Sequence, residues 1–116
     1  MKQNGNLMFE RKEYYSSLLT LYGVLLPKTT YERMSQFYLE DLSITEISEN
    51  EQVSRNAVFE SIKSGGEKLV GLERKLNLFQ KRKDMLSRMD LILKADTIEK
   101  KDELLKRWKG ETENGI

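Results

Sequence analysis

The sequence predicts an all-α protein with a trihelical helix-turn-helix core, an N-terminal helix before the core and a helical extension after it. Three observations lead to this prediction. The 116-residue chain has one proline and 34% charged residues, a composition typical of helical proteins. Apolar residues recur at helical spacings of three and four along most of the chain. The stretch from Ser43 to Lys63 has the capping residues and spacing of two short helices joined by a tight turn.

The first predicted helix runs from Leu7 to Leu26 and is amphipathic. Gly23 weakens it, and Pro27 ends it because a residue that precedes proline avoids helical angles. Its apolar face is formed by Tyr15, Leu18, Tyr22, Leu25 and Leu26.

The second predicted helix follows Pro27, with Thr29 or Thr30 as its N-terminal cap. It closes near Glu40 and supplies the first of the three core helices. Its apolar residues are Tyr31, Met34, Phe37, Tyr38 and Leu42.

The other two core helices form the helix-turn-helix motif. Ser43 is predicted to cap the first, and Ser54 the second, on either side of a turn at residues 50–53. The side chains predicted to face inward are Ile44, Ile47, Ala57, Val58 and Ile62. The candidate nucleic-acid-binding residues are those left on the outside of the second helix and at its start: Ser54, Arg55, Asn56, Phe59, Glu60 and Lys63.

Each outward residue has a functional and a structural interpretation. In a DNA complex the second helix of such a motif lies in the major groove, where Asn56 could pair with adenine and Arg55 with guanine or phosphate. Alternatively, Arg55 pairs with Glu51 and Asn56 is solvated. Phe59 either stacks on a base or partner, or is covered by the C-terminal helices.

The segment Ser64-Gly65-Gly66 either breaks the second motif helix or only weakens it. A short heptad-like seam follows, which we expect to pack on the N-terminal helix or on a second copy of the chain. Lys83 and Asp90 occupy later seam positions and argue against a long coiled coil. The seam consists of Leu69, Leu72, Leu76 and Phe79.

A last helix is predicted to start at Asp96 and Glu99 and to carry Trp108. Residues 1–63 then form the N-terminal helix and core, and residues 64–116 an extension packed as part of the same domain. The extension also holds the main concentration of positive charge, which could meet RNA phosphates, duplex DNA or an acidic partner, or be a solvated face. This basic patch comprises Arg74, Lys75, Lys81, Arg82 and Lys83.

The helix-turn-helix segment itself is acidic. Four basic and seven acidic residues lie from Lys28 to Lys63, and the stretch from Glu40 to Glu51 has five acids and no base. A DNA-reading protein neutralises about 6–10 phosphates, and the first motif helix crosses the DNA backbone. Duplex DNA is therefore the disfavoured partner. The acids either form a solvated face or dock on a basic protein.

Composition excludes several function classes. The chain has no cysteine and no histidine, which excludes disulfides, thiolate chemistry, imidazole catalysis and zinc fingers. Gly65-Gly66 lacks the spacing and the Lys-Ser/Thr pair of a phosphate-binding loop. We therefore expect no enzymatic activity, cofactor or metal. No apolar run is long enough to span a bilayer, and the N-terminus lacks the apolar core of a signal peptide, so a cytoplasmic protein without a membrane partner is expected.

Four segments also carry a family resemblance: YGVLL (22–26), FYLEDLSITEIS (37–48), VSRNAVFESIK (53–63) and ERKLNLF (73–79). In order and spacing they resemble the YlxM-like family of small bacterial helix-turn-helix proteins. The trihelical core is similar to the promoter-reading fourth region of bacterial sigma factors.

The resemblance implies an all-helical cytosolic regulatory protein, either monomeric or dimeric, that is associated with the signal recognition particle pathway. Its partners would then be the particle's protein or RNA. The alternative is a DNA-binding transcriptional regulator. One departure lies in the motif turn, where the family usually has an apolar residue followed by glycine and this chain has Glu51 and Gln52. Without glycine, a left-handed backbone there is less favourable by about 1 kcal/mol.

Overall fold

The computed structural model describes residues 2–114, and the side chains of residues 11–114. This part of the chain is built from helices without a β-strand, so the all-α prediction is confirmed. A 3₁₀ turn at Gly23–Leu25 separates the first two helices. The helices are α1 (Lys2–Tyr22), α2 (Lys28–Tyr38), α3 (Ile44–Glu51), α4 (Arg55–Leu76), α5 (Leu78–Lys94) and α6 (Ile98–Glu113).

The chain divides into two compact units, one ending at Phe79 and the other beginning at Gln80. The boundary that the sequence suggested, after Lys63, lies inside α4. The second half of α4 belongs to the first unit because Leu69, which lies there, is fully buried in that unit's core.

The first unit has a single core formed by α1, α2, α3 and α4. The three helices α2, α3 and α4 pack on one another, which confirms the trihelical core, and α1 lies against α2 and α4. Burying each large apolar side chain contributes about 1.5–3 kcal/mol before entropy is counted. The buried residues are Leu18, Leu19, Tyr22, Leu26, Met34, Ile47, Val58, Ile62 and Leu69.

The end of α1 differs from the prediction. The α-helix stops at Tyr22, and the 3₁₀ turn that follows changes the angular spacing of the side chains. As a result Leu26 is buried, whereas Leu25, which was predicted on the apolar face, is 53% exposed.

The start of α2 also differs from the prediction. Pro27 occupies the N-cap position without a side-chain cap, and its carbonyl accepts the hydrogen bond of the Tyr31 N–H at 2.9 Å. The helix therefore begins at Lys28, and Thr29 and Thr30 lie inside its first turn instead of capping it. Proline suits the first positions of a helix because its fixed φ matches helical geometry.

Gly65 and Gly66 do not break α4; they allow close packing. A Cβ on Gly65 would lie 2.2 Å from the Met34 Sδ and 2.8 Å from the Thr30 Cγ2, both on α2. A Cβ on Gly66 would lie 3.3 Å from the Tyr15 ring on α1. The cost of glycine within a helix is thus offset by the close approach of three helices.

The predicted leucine seam is divided between two helices, because α4 ends where Asn77 adopts a left-handed conformation with φ 58°. Leu69 is fully buried, while Leu72 and Phe79 pack against the same core. Leu76 is 45% exposed. Three of the four seam residues are therefore used for packing within the first unit.

A buried network joins the end of α1 to the start of α5. The Tyr22 hydroxyl donates to the Glu73 Oε1 at 2.6 Å and accepts from the Leu78 N–H at 3.0 Å. The same Glu73 oxygen accepts from the Phe79 N–H at 3.0 Å. Two N–H groups at the start of α5, which have no partner within their own helix, are satisfied in this way.

The second unit contains α6 and all of α5 beyond Phe79. An ion pair between Arg88 and Glu111 links the two helices. Thr97 caps α6 by accepting the Lys100 N–H at 3.2 Å, so the predicted start at Asp96 was wrong by one residue. None of the described helices is long and apolar enough to cross a bilayer.

Candidate nucleic-acid and partner interface

The first motif helix begins with a reciprocal cap. The Ser43 hydroxyl accepts the Glu46 N–H at 3.0 Å, and the Glu46 carboxylate accepts the Ser43 N–H at 3.0 Å. This confirms the predicted cap. The negative charge of Glu46 is held at the positive end of the α3 dipole, which stabilises the helix start.

The turn of the motif is closed by a left-handed residue that is not glycine. After α3 ends at Glu51, Gln52 has φ 57° and ψ 44°. The Ser54 hydroxyl then accepts the Ala57 N–H at 3.0 Å, as the sequence predicted for the cap of α4. This geometry fixes the direction in which α4, the candidate recognition helix, leaves the turn.

Arg33 of α2 links the three core helices by hydrogen bonds. Its Nε donates to the Glu51 Oε1 at 2.9 Å, at the end of α3, and one terminal nitrogen donates to the Ser61 hydroxyl of α4 at 2.8 Å. The other Glu51 oxygen accepts from the Gln36 amide at 3.0 Å. The Arg33 and Glu51 side chains are only 13% and 26% exposed. The Glu51 that replaces an apolar turn residue therefore has a structural role of its own.

The outward residues of α4 lie where the sequence placed them, and all are exposed. Among the described residues no acid lies within ion-pairing distance of Arg55, since Glu51 is bound to Arg33 instead. Phe59 is 47% exposed. The start of α4 thus presents Arg55 and Asn56 to solvent, next to an aromatic ring and Lys63. The exposed candidates are Ser54, Arg55, Asn56, Phe59, Glu60 and Lys63.

Beside these residues lies a groove of about 550 Å³ in the first unit. Phe59 and Lys63 contribute to one side of it and Arg74 lies farther along the same helix. Tyr15 of α1 and Tyr38 of α2 line the groove with their rings stacked at 5.6 Å and 23°. The groove combines aromatic surface with two cationic groups, Lys63 and Arg74, and one acidic group, Glu67. Its aromatic rings suit an unpaired base or an apolar side chain of a partner.

The sequence predicts that the two tyrosines of this groove pack on apolar helix faces. Both are half-buried, and burial raises the pKa of the Tyr38 hydroxyl. No sequence pattern connects Tyr15 to residues of α4 that are more than forty positions away. One signal was available on α4 itself, because Phe59, Val70 and Arg74 lie on one side of an unbroken helix.

The five acids of the motif region do not form one uniform face. Asp41 pairs with Lys12 of α1, and Glu51 pairs with Arg33. These two charges are neutralised within the chain. Glu40, Glu46 and Glu49 remain exposed.

The predicted basic patch is divided between the two units. Arg74 and Lys75 lie in the last turn of α4, in the first unit. Lys81, Arg82 and Lys83 lie on α5, in the second unit. All five are exposed, but only Arg74 lines the groove beside the candidate recognition helix. Within the part of the chain that is described, no cluster of acidic side chains could hold a metal ion.

Comparison with known proteins agrees with this architecture. A relative from Latilactobacillus sakei, named UPF0122 protein, is 43% identical over 65 residues, which cover 56% of this chain and 58% of the relative. A UPF0122 protein from Clostridium kluyveri is 38% identical over 76 residues, covering 66% and 68%. One from Staphylococcus haemolyticus is 41% identical over 64 residues, covering 55% and 58%. The chain thus matches between 58% and 68% of the length of these relatives.

The family-level match is more extensive than these pairwise ones. Residues 9–108 match the UPF0122 family, described as "Putative helix-turn-helix protein, YlxM / p13 like". This range includes α2, α3 and α4 in full, together with the turn at Gln52 and the exposed side of α4. The chain therefore belongs to the UPF0122 family of YlxM-like helix-turn-helix proteins.

Proposed function

We propose that this chain is a non-enzymatic regulatory protein that serves the signal recognition particle pathway in the cytoplasm and contacts the particle's protein or RNA. The choice of pathway rests on the YlxM-like resemblance. The choice of a protein or RNA contact rests on the charge of the helix-turn-helix unit. The interface we propose is the exposed side of α4 together with the groove beside it.

The observation that carries this proposal is the sign of the charge on α3. In a duplex complex the first motif helix crosses the sugar-phosphate backbone. Here Glu46 and Glu49 of that helix are exposed, and no lysine or arginine lies between Arg33 and Arg55. A carboxylate within 4 Å of a phosphate is disfavoured by about 1 kcal/mol even at the dielectric constant of water.

The number of available cations leads to the same conclusion. Arg33 is engaged with Glu51 and Ser61 and is mostly buried, so it cannot also reach a phosphate. The proposed interface carries the acids Glu60 and Glu67 and three cations, Arg55, Lys63 and Arg74. These three are fewer than the roughly 6–10 phosphate contacts of a typical duplex reader. They suit a single unpaired nucleotide or an acidic protein segment better.

The second candidate function is a DNA-binding transcriptional regulator that uses α4 as its recognition helix. Arg55 and Asn56 favour it, since both are exposed in the first turn of that helix, where base contacts are made. The pairing of Asp41 with Lys12 also removes one charge from the repulsion expected at a DNA backbone.

A capture experiment tests the leading proposal. We expect the immobilised chain to recover the particle protein, its receptor or the particle RNA from a bacterial lysate. The variant Phe59→Ala/Lys63→Glu, which changes two exposed side chains of the groove, should lose this recovery. Lys101→Glu in α6, a charge change outside the groove, is the matched control and should retain it. Failure to recover any particle component, or equal recovery by both variants, would contradict the proposal.

A separate experiment tests the DNA alternative. Selection from a pool of random duplexes should enrich a sequence motif if α4 reads bases. Arg55→Ala and Asn56→Ala should then lower affinity for the enriched duplex, because each bidentate base contact contributes about 1–3 kcal/mol of discrimination. Enrichment of no motif, or unchanged affinity in both variants, would argue against this alternative.

A further inference from the structure

A single residue, Asn77, separates α4 from α5. Its backbone is left-handed, with φ 58° and ψ 30°, between the last residue of α4 and the first residue of α5. Neither glycine nor proline lies between residues 72 and 94, so no residue at this break excludes a right-handed helix. The apolar spacing of three and four in the predicted seam also passes through Asn77 without interruption. The local sequence is therefore compatible with one continuous helix, although the structure is broken at this point.

At the break, two side chains accept hydrogen bonds that a helix backbone would otherwise accept. The Leu78 N–H donates to the Tyr22 hydroxyl at 3.0 Å. The Phe79 N–H donates to the Glu73 Oε1, also at 3.0 Å. In a continuous helix the same two N–H groups would donate to the carbonyls four residues before them. Both donors thus have an acceptor in either arrangement, and a change from one to the other leaves neither unsatisfied.

The side chains that hold the broken arrangement are buried. Tyr22 is 1% exposed and Glu73 is 8% exposed, and the Tyr22 hydroxyl donates to the Glu73 Oε1 at 2.6 Å. The Phe79 ring meets the Tyr14 ring edge to face, with the ring centroids 5.2 Å apart. These contacts favour the broken arrangement. The left-handed backbone of Asn77 opposes it, since asparagine adopts this conformation less readily than glycine does.

We propose that residues 76–79 form a two-state joint, which is either broken at Asn77, as observed, or continuous from α4 into α5. Tyr22 and Glu73 stabilise the broken state because they supply side-chain acceptors for the two N–H groups. The backbone preference of Asn77 stabilises the continuous state. An element with two such opposed states changes its population when a small number of contacts change.

Two structural connections link the joint to the groove beside α4. The Arg74 side chain lines the groove, and the Arg74 carbonyl is the acceptor that the Leu78 N–H takes in the continuous state. Tyr14 contacts Phe79 and also contacts Tyr15, a wall of the groove, with a centroid distance of 5.7 Å in the second pair. In the continuous state the Phe79 backbone is repositioned and its ring leaves Tyr14, so the aromatic wall of the groove loses a support.

The joint therefore gives the groove two forms, and an occupant that fits one form better shifts the joint toward that form. Only this effect on an occupant rests on the proposed function. The two states themselves are a property of the chain alone, so the tests below use the full chain without any partner. Their failure would leave the proposed function standing.

Nuclear magnetic resonance distinguishes the two states. The continuous state is recognised by a coupling through the hydrogen bond between the Leu78 nitrogen and the Arg74 carbonyl carbon, and the broken state by proton contacts between the Tyr14 and Phe79 rings. Asn77→Ala should raise the ratio of continuous to broken chains about tenfold, because alanine favours a right-handed helix and disfavours a left-handed backbone. Asn77→Gly is the matched control and should lower this ratio, because glycine adopts the left-handed backbone without strain.

Tyr22→Phe should raise the same ratio about tenfold as well, since the Leu78 N–H then has no side-chain acceptor in the broken state. In the double variant Tyr22→Phe/Asn77→Ala we expect the hydrogen-bond coupling to appear and the ring contacts to disappear. A folded double variant that keeps the ring contacts and shows no coupling would overturn the proposal.

Relaxation dispersion of the amides of residues 76–79 provides a second test in the single variant Asn77→Ala, which keeps every buried side chain of the joint. We expect exchange between the two states at these amides, and the Tyr15 ring resonances should shift with the same population. This measurement decides the question if the double variant does not fold. Flat dispersion profiles would overturn the two-state joint, and Tyr15 resonances that stay constant across the variants would overturn its link to the groove.

Discussion

The Arg33 Nε lies 2.9 Å from the Glu51 Oε1 and so ties α2 to the residue at which α3 ends. Because Arg33 also donates to the Ser61 hydroxyl, the same guanidinium sets the position of α4 relative to both helices. A polar contact therefore joins the two motif helices through α2, in addition to their shared apolar core. Glu51, which the sequence suggests is a surface charge of the motif, therefore helps to hold its helices together.

Glu51→Ala should destabilise the chain by about 1–3 kcal/mol, because it leaves a mostly buried guanidinium without its carboxylate. Urea denaturation measures this change. Glu32→Ala is the matched control, since Glu32 forms only an exposed pair with Lys28 at 4.0 Å and should change stability by less than about 0.5 kcal/mol. Equal losses of unfolding free energy in the two variants would show that the contact with Arg33 contributes no more than an exposed ion pair.

Gly65→Ala and Gly71→Ala should change stability in opposite directions. Both glycines lie in α4, where alanine is intrinsically favoured by about 1 kcal/mol. At Gly65 the added methyl group would overlap with Met34, so we expect a net loss of about 1–2 kcal/mol. At Gly71 no atom lies within 4 Å of the new Cβ, so a gain of about 0.5–1 kcal/mol is expected. Thermal unfolding of both variants checks the signs, and a stabilised Gly65→Ala variant would contradict the proposed close packing.

Gln52→Gly should stabilise the chain by about 0.5–1 kcal/mol, because Gln52 has a left-handed backbone that glycine adopts without strain. Asn77→Gly makes the same change at φ 58° and is the comparison. Asparagine tolerates this conformation better than glutamine, so the gain at Asn77 should be smaller. Chemical denaturation of the two variants measures the difference. A destabilised Gln52→Gly variant would mean that the Gln52 side chain contributes a contact that outweighs its backbone strain.

Stability should fall at alkaline pH because of Tyr22. Burial raises the pKa of the Tyr22 hydroxyl above its ordinary value of 10.0, and the hydrogen bond to Glu73 acts in the same direction. The folded chain therefore holds this proton more tightly than the unfolded chain does. The resulting stabilisation is complete below pH 10.0 and is lost as the pH rises through the folded-state pKa. Burial likewise raises the pKa values of Tyr14 and Tyr38, which adds to the same trend.

Tyr22→Phe separates the effect of Tyr22 from that of the other two tyrosines. The variant should be less stable at neutral pH, since the Leu78 N–H loses its hydrogen-bond acceptor, but its stability should fall less steeply above pH 10.0. Urea midpoints at neutral and alkaline pH measure both changes. Tyr31→Phe, at an exposed ring, is the control. An alkaline slope equal to that of the native chain would show that Tyr22 does not contribute to it.

Local signals predicted most of the fold. Ser43 and Ser54 cap the helices that their sequence positions indicated, and Ile47, Val58 and Ile62 are buried as helical periodicity required. The errors lie where tertiary packing overrides local preference. Gly65 and Gly66, which are expected to weaken a helix, lie within α4 because Met34 and Tyr15 occupy the positions where larger side chains would be. No local sequence pattern reveals such a neighbour on another helix.

The candidate site was only partly predictable for the same reason. The exposed side of α4 followed from periodicity, but the groove beside it depends on Tyr15 and Tyr38, which reach it from other helices. The number of acidic and basic residues in the motif could be counted from the sequence, but which of them are paired could not be predicted. Sequence alone could not show that Asp41 and Glu51 are paired with Lys12 and Arg33, because those partners are between 18 and 29 residues away.

The most direct test of the proposed function is a competition titration of the full chain against particle RNA, particle protein and random duplex DNA at low and high salt. We expect a particle component to bind most tightly, and duplex DNA to bind weakly with a shallow dependence on salt, since few cations face outward from the motif. Tightest binding to duplex DNA with a steep salt dependence would contradict the proposal, because it would require phosphates to lie along the exposed carboxylates of α3.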